Sequence, residues 1–160
     1  MPRPYREADA DALWELKESF ELALATDTGG EEKAEAYRDK LDADYRAGYL
    51  AWVRRCVEEA PDCVQLAERD GEAVGYAFVL PASLSYIWDA AVLNELYVRA
   101  SHRGSGVADD LMEAALSVAR DQDLPMDRIV LDVDPDNDRA AAFYERWGFL
   151  PWGEMVARDL

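Results

Sequence analysis

Residues 92–108 read VLNELYVRASHRGSGVA, and the fold turns on how this stretch is read. Residues 92–98 are rich in branched and bulky apolar side chains and predict a strand. RASH follows, and then Arg103-Gly104-Ser105-Gly106-Val107-Ala108 opens a predicted helix over 104–121. That helix carries Val107, Leu111, Ala114, Ala115 and Val118 on one face. Glycines between a strand and a helix let backbone N–H groups approach an anion, and the helix N-terminus adds about half a positive charge. The pattern is not a P-loop, because no Gly-Lys-Ser/Thr follows. It is not the dinucleotide fingerprint either, since the third glycine is absent and a hairpin precedes it. A two-glycine helix entry standing alone is usually just a turn.

Upstream, residues 63–68 and 72–80 are short apolar runs separated by Asp70-Gly71, a strong hairpin signal. Residues 82–91 read as a loop after Pro81. Further back, residues 31–59 carry Ala34, Tyr37, Leu41, Tyr45, Tyr49, Trp52 and Cys56 at helical spacing, and Pro61 stops the run. Residues 8–25 form another helical stretch through Leu13, Trp14, Leu16, Phe20 and Leu24, broken by a Thr/Asp/Gly linker at 26–30. Residues 1–7 suit only an edge strand because of Pro2 and Pro4. Downstream, residues 128–133 read as a buried strand. Pro135-Asp136-Asn137 opens a last helix, Gly148 closes it, and 155–160 predict a final strand. The order β-α-α-β-β-β-α-β-α-β implies an α/β fold: a mixed sheet with helices on both faces.

The chain has 160 residues, half of them hydrophobic, which fits one domain over 1–160 with a real core. No run of 18 or more apolar residues is present, so no membrane span is expected. MPRPYREADADAL lacks an apolar segment of secretory type, and Cys56 and Cys63 read as buried reduced thiols, so a cytoplasmic location is expected. The net charge is −17, which repels nucleic-acid phosphates and anionic membranes. Lys17, Lys33 and Lys40 are the only lysines, against fourteen arginines. Acid excess with scarce lysine resembles proteins of salt-loving organisms; the rival reading is an acidic groove for a cationic substrate. The acids are spread along the whole chain, which favours the halophilic reading.

The second constellation is Asn137-Asp138-Arg139-Ala140-Ala141-Ala142-Phe143-Tyr144-Glu145-Arg146-Trp147-Gly148-Phe149. Asn137 and Tyr144 lie seven residues apart, about two helical turns, so they share a face. Alone, Asn137 would be a helix cap and Tyr144 a core aromatic with a wet hydroxyl. Arg103-x-x-Gly106-x-Ala108 followed by Asn137-x-x-Ala140-x-x-x-Tyr144-Glu145-x-x-Gly148-Phe149 resembles the GNAT superfamily of acetyl-CoA-dependent N-acyltransferases. The resemblance covers residues 63–160 well and 1–60 by pattern. One departure is Ala100, where the family often has proline.

The resemblance implies an N-acetyltransferase that moves an acetyl group from acetyl-CoA to a primary amine by direct attack in a ternary complex. It implies a GNAT-like acyltransferase fold and no metal. Leu96, Tyr97 and Val98 would hold the pantetheine arm through main chain, and the Val98 N–H would polarise the thioester carbonyl. Backbone N–H groups of Arg103, Gly104, Ser105, Gly106, Val107 and Ala108 would hold the pyrophosphate, and Asn137 would hydrogen-bond the cosubstrate. Tyr144 would protonate the departing thiolate. Glu95 is a candidate general base, with binding of a cationic substrate or pairing with an arginine weighing equally. Asp89 and Asp134 are weaker candidates. His102, the only histidine, reads as a cap or surface residue beside the phosphate turn. Tyr45, Tyr86 and Trp88 can line the acceptor pocket, with core packing the plainer reading. The acceptor would be a small-molecule or peptide amine, with no nucleic acid or membrane partner, and a homodimer fits. The alternatives are a non-catalytic acyl-CoA-binding regulatory domain and a protein N-terminal acetyltransferase.

Overall fold

The computed structural model describes residues 1–27 and 30–160. In chain order the elements are β1 (Arg3–Pro4), α1 (Ala10–Asp27), α2 (Gly30–Lys40), α3 (Ala43–Glu59), β2 (Val64–Arg69), β3 (Glu72–Val79), β4 (Ala91–Val98), α4 (Val107–Arg120), β5 (Ile129–Val130) and α5 (Asp138–Arg146). The sheet runs β1-β2-β3-β4-β5 in sequence order. Its pairs are antiparallel except β4 with β5, which is parallel, so the sheet is mixed. None of the described helices is long and apolar enough to cross a membrane.

Alternation along the strands divides the core in two. Leu66, Tyr76 and Phe78 point to the face covered by Leu13 and Leu16 of α1 and Val53 and Cys56 of α3. Ala67, Ala77 and Val79 point to the other face, under Val107, Leu111, Met112 and Val118 of α4, and Val74 joins them as the extra residue of a bulge between Ala73 and Gly75. Phe143, Tyr144 and Trp147 of α5 pack on this second cluster. The β2–β3 turn uses Asp70 and Gly71, both with positive φ (54° and 82°), as a tight two-residue hairpin turn requires. Gly75 allows α4 and β4 to approach β3: a Cβ there would lie 2.7 Å from the Tyr97 carbonyl oxygen and 3.1 Å from Leu111 Cδ1. Cys56 and Cys63 are free and buried, and burial raises their thiol pKa values to about 11 and about 12.

Several boundaries differ from those read in the sequence. The stretch 31–59 is two helices, because the Asp42 side chain turns back to accept from the Tyr45 N–H (2.7 Å) and starts α3 afresh. The linker expected at 26–30 falls partly on 28–29, outside the described residues, and α1 continues to Asp27. The 82–91 segment holds a 3-10 turn at Ala82–Ile87. Helix α4 begins at Val107 rather than 104, because Gly104 and Gly106 are left-handed (φ 75° and 87°). Met112 rather than Ala114 completes its buried face. The 128–133 strand pairs only at Ile129 and Val130. The final strand expected at 155–160 is not formed. That segment is exposed throughout, and its apolar Met155, Val156 and Leu160 find no strand edge to join.

Candidate active site

The divergence of β4 from β5 shapes the first half of the site. The two pair at Ala91 with Ile129 and at Val92 with Val130, and then part. On its other side, β4 stays paired with β3 through Val98. The Arg99 N–H donates to the Val74 carbonyl of β3 (2.8 Å). By strand alternation the neighbouring Val98 N–H faces the opposite, open side. The Val98 carbonyl shares that side and accepts from Arg103 Nε (3.2 Å). Main chain of Leu96, Tyr97 and Val98 thus borders a gap between two strands.

At the end of β4 the chain makes a 3-10 turn through His102 and enters α4 at Gly106. Gly106 is the N-cap of α4 and offers no side chain to cap its first turn. A Cβ built at Gly104 or Gly106 meets nothing within 4 Å, so the space beside both glycines is open. Ser105 Oγ donates to the His102 carbonyl, and His102 Nδ1 lies 3.0 Å from Ser101 Oγ. The histidine therefore sits within the turn and does not line the cleft described below.

Asn137 caps α5, its Oδ1 accepting from the Ala140 N–H at 3.2 Å. Tyr144 packs between Phe143 and Phe149, with centroids 5.4 and 5.7 Å away. Burial pushes its phenol up to about 12, so it is a proton donor at neutral pH.

The second half of the site lies on the face of β4 covered by α1 and α3. A cleft of about 590 Å³ is lined by Lys17, Asp44, Tyr45, Tyr49, Trp52 and Asn94, with Gly48. Asn94 reaches it because β4 bulges there: Phe78 opposes Glu95, but Val79 opposes Leu93. Glu95 itself is buried, 4% exposed, and does not line the cleft. Its Oε1 accepts from the Tyr49 hydroxyl at 2.7 Å, and its Oε2 accepts from Lys17 Nζ. Lys17 also reaches Glu21 Oε1 at 2.5 Å. Lys40 Nζ lies 2.9 Å from Glu21 Oε2 as an ion pair without hydrogen-bond alignment. Burial works to lower the Lys17 pKa, but the attraction of Glu95 and Glu21 outweighs it and the net shift is upward. Tyr49 is held well above an ordinary phenol, first by burial and then by the Glu95 charge.

Of the pocket residues expected from sequence, Tyr45 lines the cleft. Tyr86 and Trp88 are exposed and do not line it. Asp134, a weaker candidate base, is paired with Lys33 and does not line the cleft. Lys17 and Tyr49 were not among the expected site residues. A signal for Lys17 existed: it stands four residues after Leu13 and four before Glu21, on the apolar line of α1. Among the described residues, no group of His, Cys, Asp or Glu could hold a metal ion.

The family model described as Acetyltransferase (GNAT) family matches residues 15–149. The chain belongs to the GNAT acetyltransferase family. As a GNAT acyltransferase it is 30% identical over 126 residues to peptidyl-lysine N-acetyltransferase YjaB of Escherichia coli (strain K12), covering 79% of this chain and 74% of that one. It is 32% identical over 152 residues to the uncharacterized N-acetyltransferase Rv2669 of Mycobacterium tuberculosis, covering 94% and 88%. Its fold matches the PaiA N-acetyltransferase from Thermoplasma acidophilum, solved in complex with coenzyme A, at a TM-score of 0.66 and 16% identity, covering 91% and 86%.

Proposed function

We propose that residues 1–160 form one N-acetyltransferase domain that moves an acetyl group from acetyl-CoA to a primary amine by direct attack in a ternary complex. The observation that carries this reading is the open edge of β4, which runs into a left-handed glycine turn at the start of α4. An extended thioester arm fits the gap beside Leu96, Tyr97 and Val98. A pyrophosphate fits the N–H groups from Arg103 to Ala108, because the open face at Gly104 and Gly106 leaves room for close approach. Asn137 keeps its amide N–H₂ available for the cosubstrate while its oxygen caps α5.

The acceptor enters from the cleft. Its volume of about 590 Å³ lies within the range of small-molecule sites. Tyr45, Tyr49 and Trp52 line it with aromatic surface, and Asp44 offers a carboxylate to an ammonium group. The amine nitrogen forms the new C–N bond as the C–S bond breaks. The Val98 N–H stabilises charge on the carbonyl oxygen, and the thiolate takes its proton from the Tyr144 hydroxyl. Glu95 accepts the proton that the amine gives up.

Acetyl-CoA and desulpho-CoA both raise the melting temperature on this reading, by the equivalent of about 2.7 kcal/mol at 100 times the dissociation constant. An amine panel assayed for thiol release in high salt identifies the acceptor. Tyr144→Phe lowers turnover by about 10²-fold with cosubstrate binding retained. No melting shift at millimolar ligand sinks the cosubstrate assignment, and unaltered turnover removes Tyr144.

A further inference from the structure

We propose that Tyr49 relays the proton of the acceptor amine from the cleft to Glu95. This rests on the reading of Glu95 as the base. Glu95 is buried behind the cleft wall, and among the described residues the cleft-lining groups that touch its carboxylate are Tyr49 and Lys17. Lys17 is a cation bound by two carboxylates, so it has no lone pair with which to accept a proton. The Tyr49 hydroxyl has both a lone pair and a proton already directed at Glu95 Oε1 (2.7 Å).

The step balances. The amine N–H bond breaks and an O–H bond forms at Tyr49 Oη. The original Tyr49 O–H bond breaks, and its proton joins Glu95 Oε1. Tyr49 ends neutral and Glu95 ends as a carboxylic acid. Glu21 then remains as the partner that balances Lys17, which gives the second carboxylate of the cluster a purpose. The groups facing this path are Lys17 and Glu21 of α1, Lys40 of α2 through Glu21, Tyr45 of α3 and Tyr76 of β3. Asp44, also on the cleft, is exposed and is the competing direct acceptor.

Turnover of Tyr49→Phe, Glu95→Gln and the double variant on an accepted amine tests the relay, with cosubstrate binding measured for each. Each single change lowers kcat by about 10²-fold, and the double is no worse than the weaker single. The Tyr49→Phe deficit shrinks by about tenfold per pH unit toward the acceptor's own pKa of ~10, because amine then arrives already deprotonated. A structural defect scales all pH values alike. Losses that multiply, or a deficit independent of pH, overturn the relay. Tyr49→Phe close to wild type with Glu95→Gln impaired overturns the relay but leaves Glu95 as base, by direct contact or through water. Full activity of Glu95→Gln removes both, and loss on Asp44→Asn instead assigns the proton to Asp44. Should Tyr49→Phe fail to fold, 3-fluorotyrosine placed at position 49 alone keeps the contacts and makes the phenol more acidic. A changed kcat at unchanged melting temperature then supports the relay, and an unchanged kcat overturns it.

Discussion

Lys17→Met removes the cation that binds both Glu21 and Glu95. Methionine keeps the unbranched stem and fills the same space, so packing changes little. What disappears is the charge between two carboxylates whose side chains are only 5% and 3% exposed. Breaking a buried pair by removing one partner costs about 3–5 kcal/mol, because the remaining charge stays buried: among the described residues Glu95 keeps only the Tyr49 hydroxyl, while Glu21 keeps Lys40. At about 2–4 °C per kcal/mol for a domain of this size, the melting temperature falls by about 6–20 °C. The pH dependence follows from the two shifts. Lys17 titrates above its ordinary 10.5, so its contribution is complete below that value and is lost as pH rises through the folded pKa. For Glu21, burial alone would raise the pKa, but attraction to Lys17 outweighs it and the net shift is below 4.5. Its contribution is present above 4.5 and is lost as pH falls through the folded value. The difference between wild type and variant is therefore full at neutral pH and narrows in acid. Denaturant melts at neutral pH and near pH ~3 measure it. A loss below about 1 kcal/mol at neutral pH, the size of a surface pair, refutes the reasoning. So does a difference that persists unchanged in acid.

Gly106→Val strains a left-handed position (φ 87°) and fills the open face of the turn, so isothermal titration should show the acetyl-CoA dissociation constant raised tenfold or more. An unchanged constant makes the turn purely structural. Gly75→Ala places a Cβ 2.7 Å from the Tyr97 carbonyl oxygen. The strain should cost about 1–3 kcal/mol in urea melts, and a neutral result would mean β4 yields freely. At a net charge of −17, the melting temperature should rise through molar KCl as repulsion is screened. Full stability in dilute buffer would return the acid excess to a role in substrate binding.

What could be read from the sequence was local. Asp70-Gly71 announced a hairpin because two consecutive left-handed residues are chemically restricted. Gly104 and Gly106 marked the helix entry for the same reason. The Asn137 cap and the Gly148 stop bracketed α5 within a residue. The Asp42 break was written in the sequence as an N-cap residue, but the apolar stripe continues across it and concealed it. The missed chemistry was long-range. Lys17 and Glu95 are 78 residues apart and meet because α1 crosses the face of β4, a contact that no spacing encodes. Glu95 was legible as a charged residue in a strand, whereas its enclosure by Lys17 and Tyr49 emerged only from packing. The last strand failed for a similar reason: residues 155–160 have strand-like composition, but a strand needs an edge, and β5 ends after Val130.

The lysines have a further chemical consequence. Lys17 ends on Glu21 and Glu95, Lys33 on Asp134 and Lys40 on Glu21. An amine reacts with an activated acyl group only through a free electron pair, and an ammonium clasped by a carboxylate does not present one. The rest of the side-chain positive charge is carried by fourteen guanidinium groups, which stay protonated and are poor nucleophiles. On the proposed reading, the protein works beside a reactive thioester with each of its three lysine amines paired to a carboxylate. On that reading, the scarcity of lysine also limits acylation of the protein by its own cosubstrate.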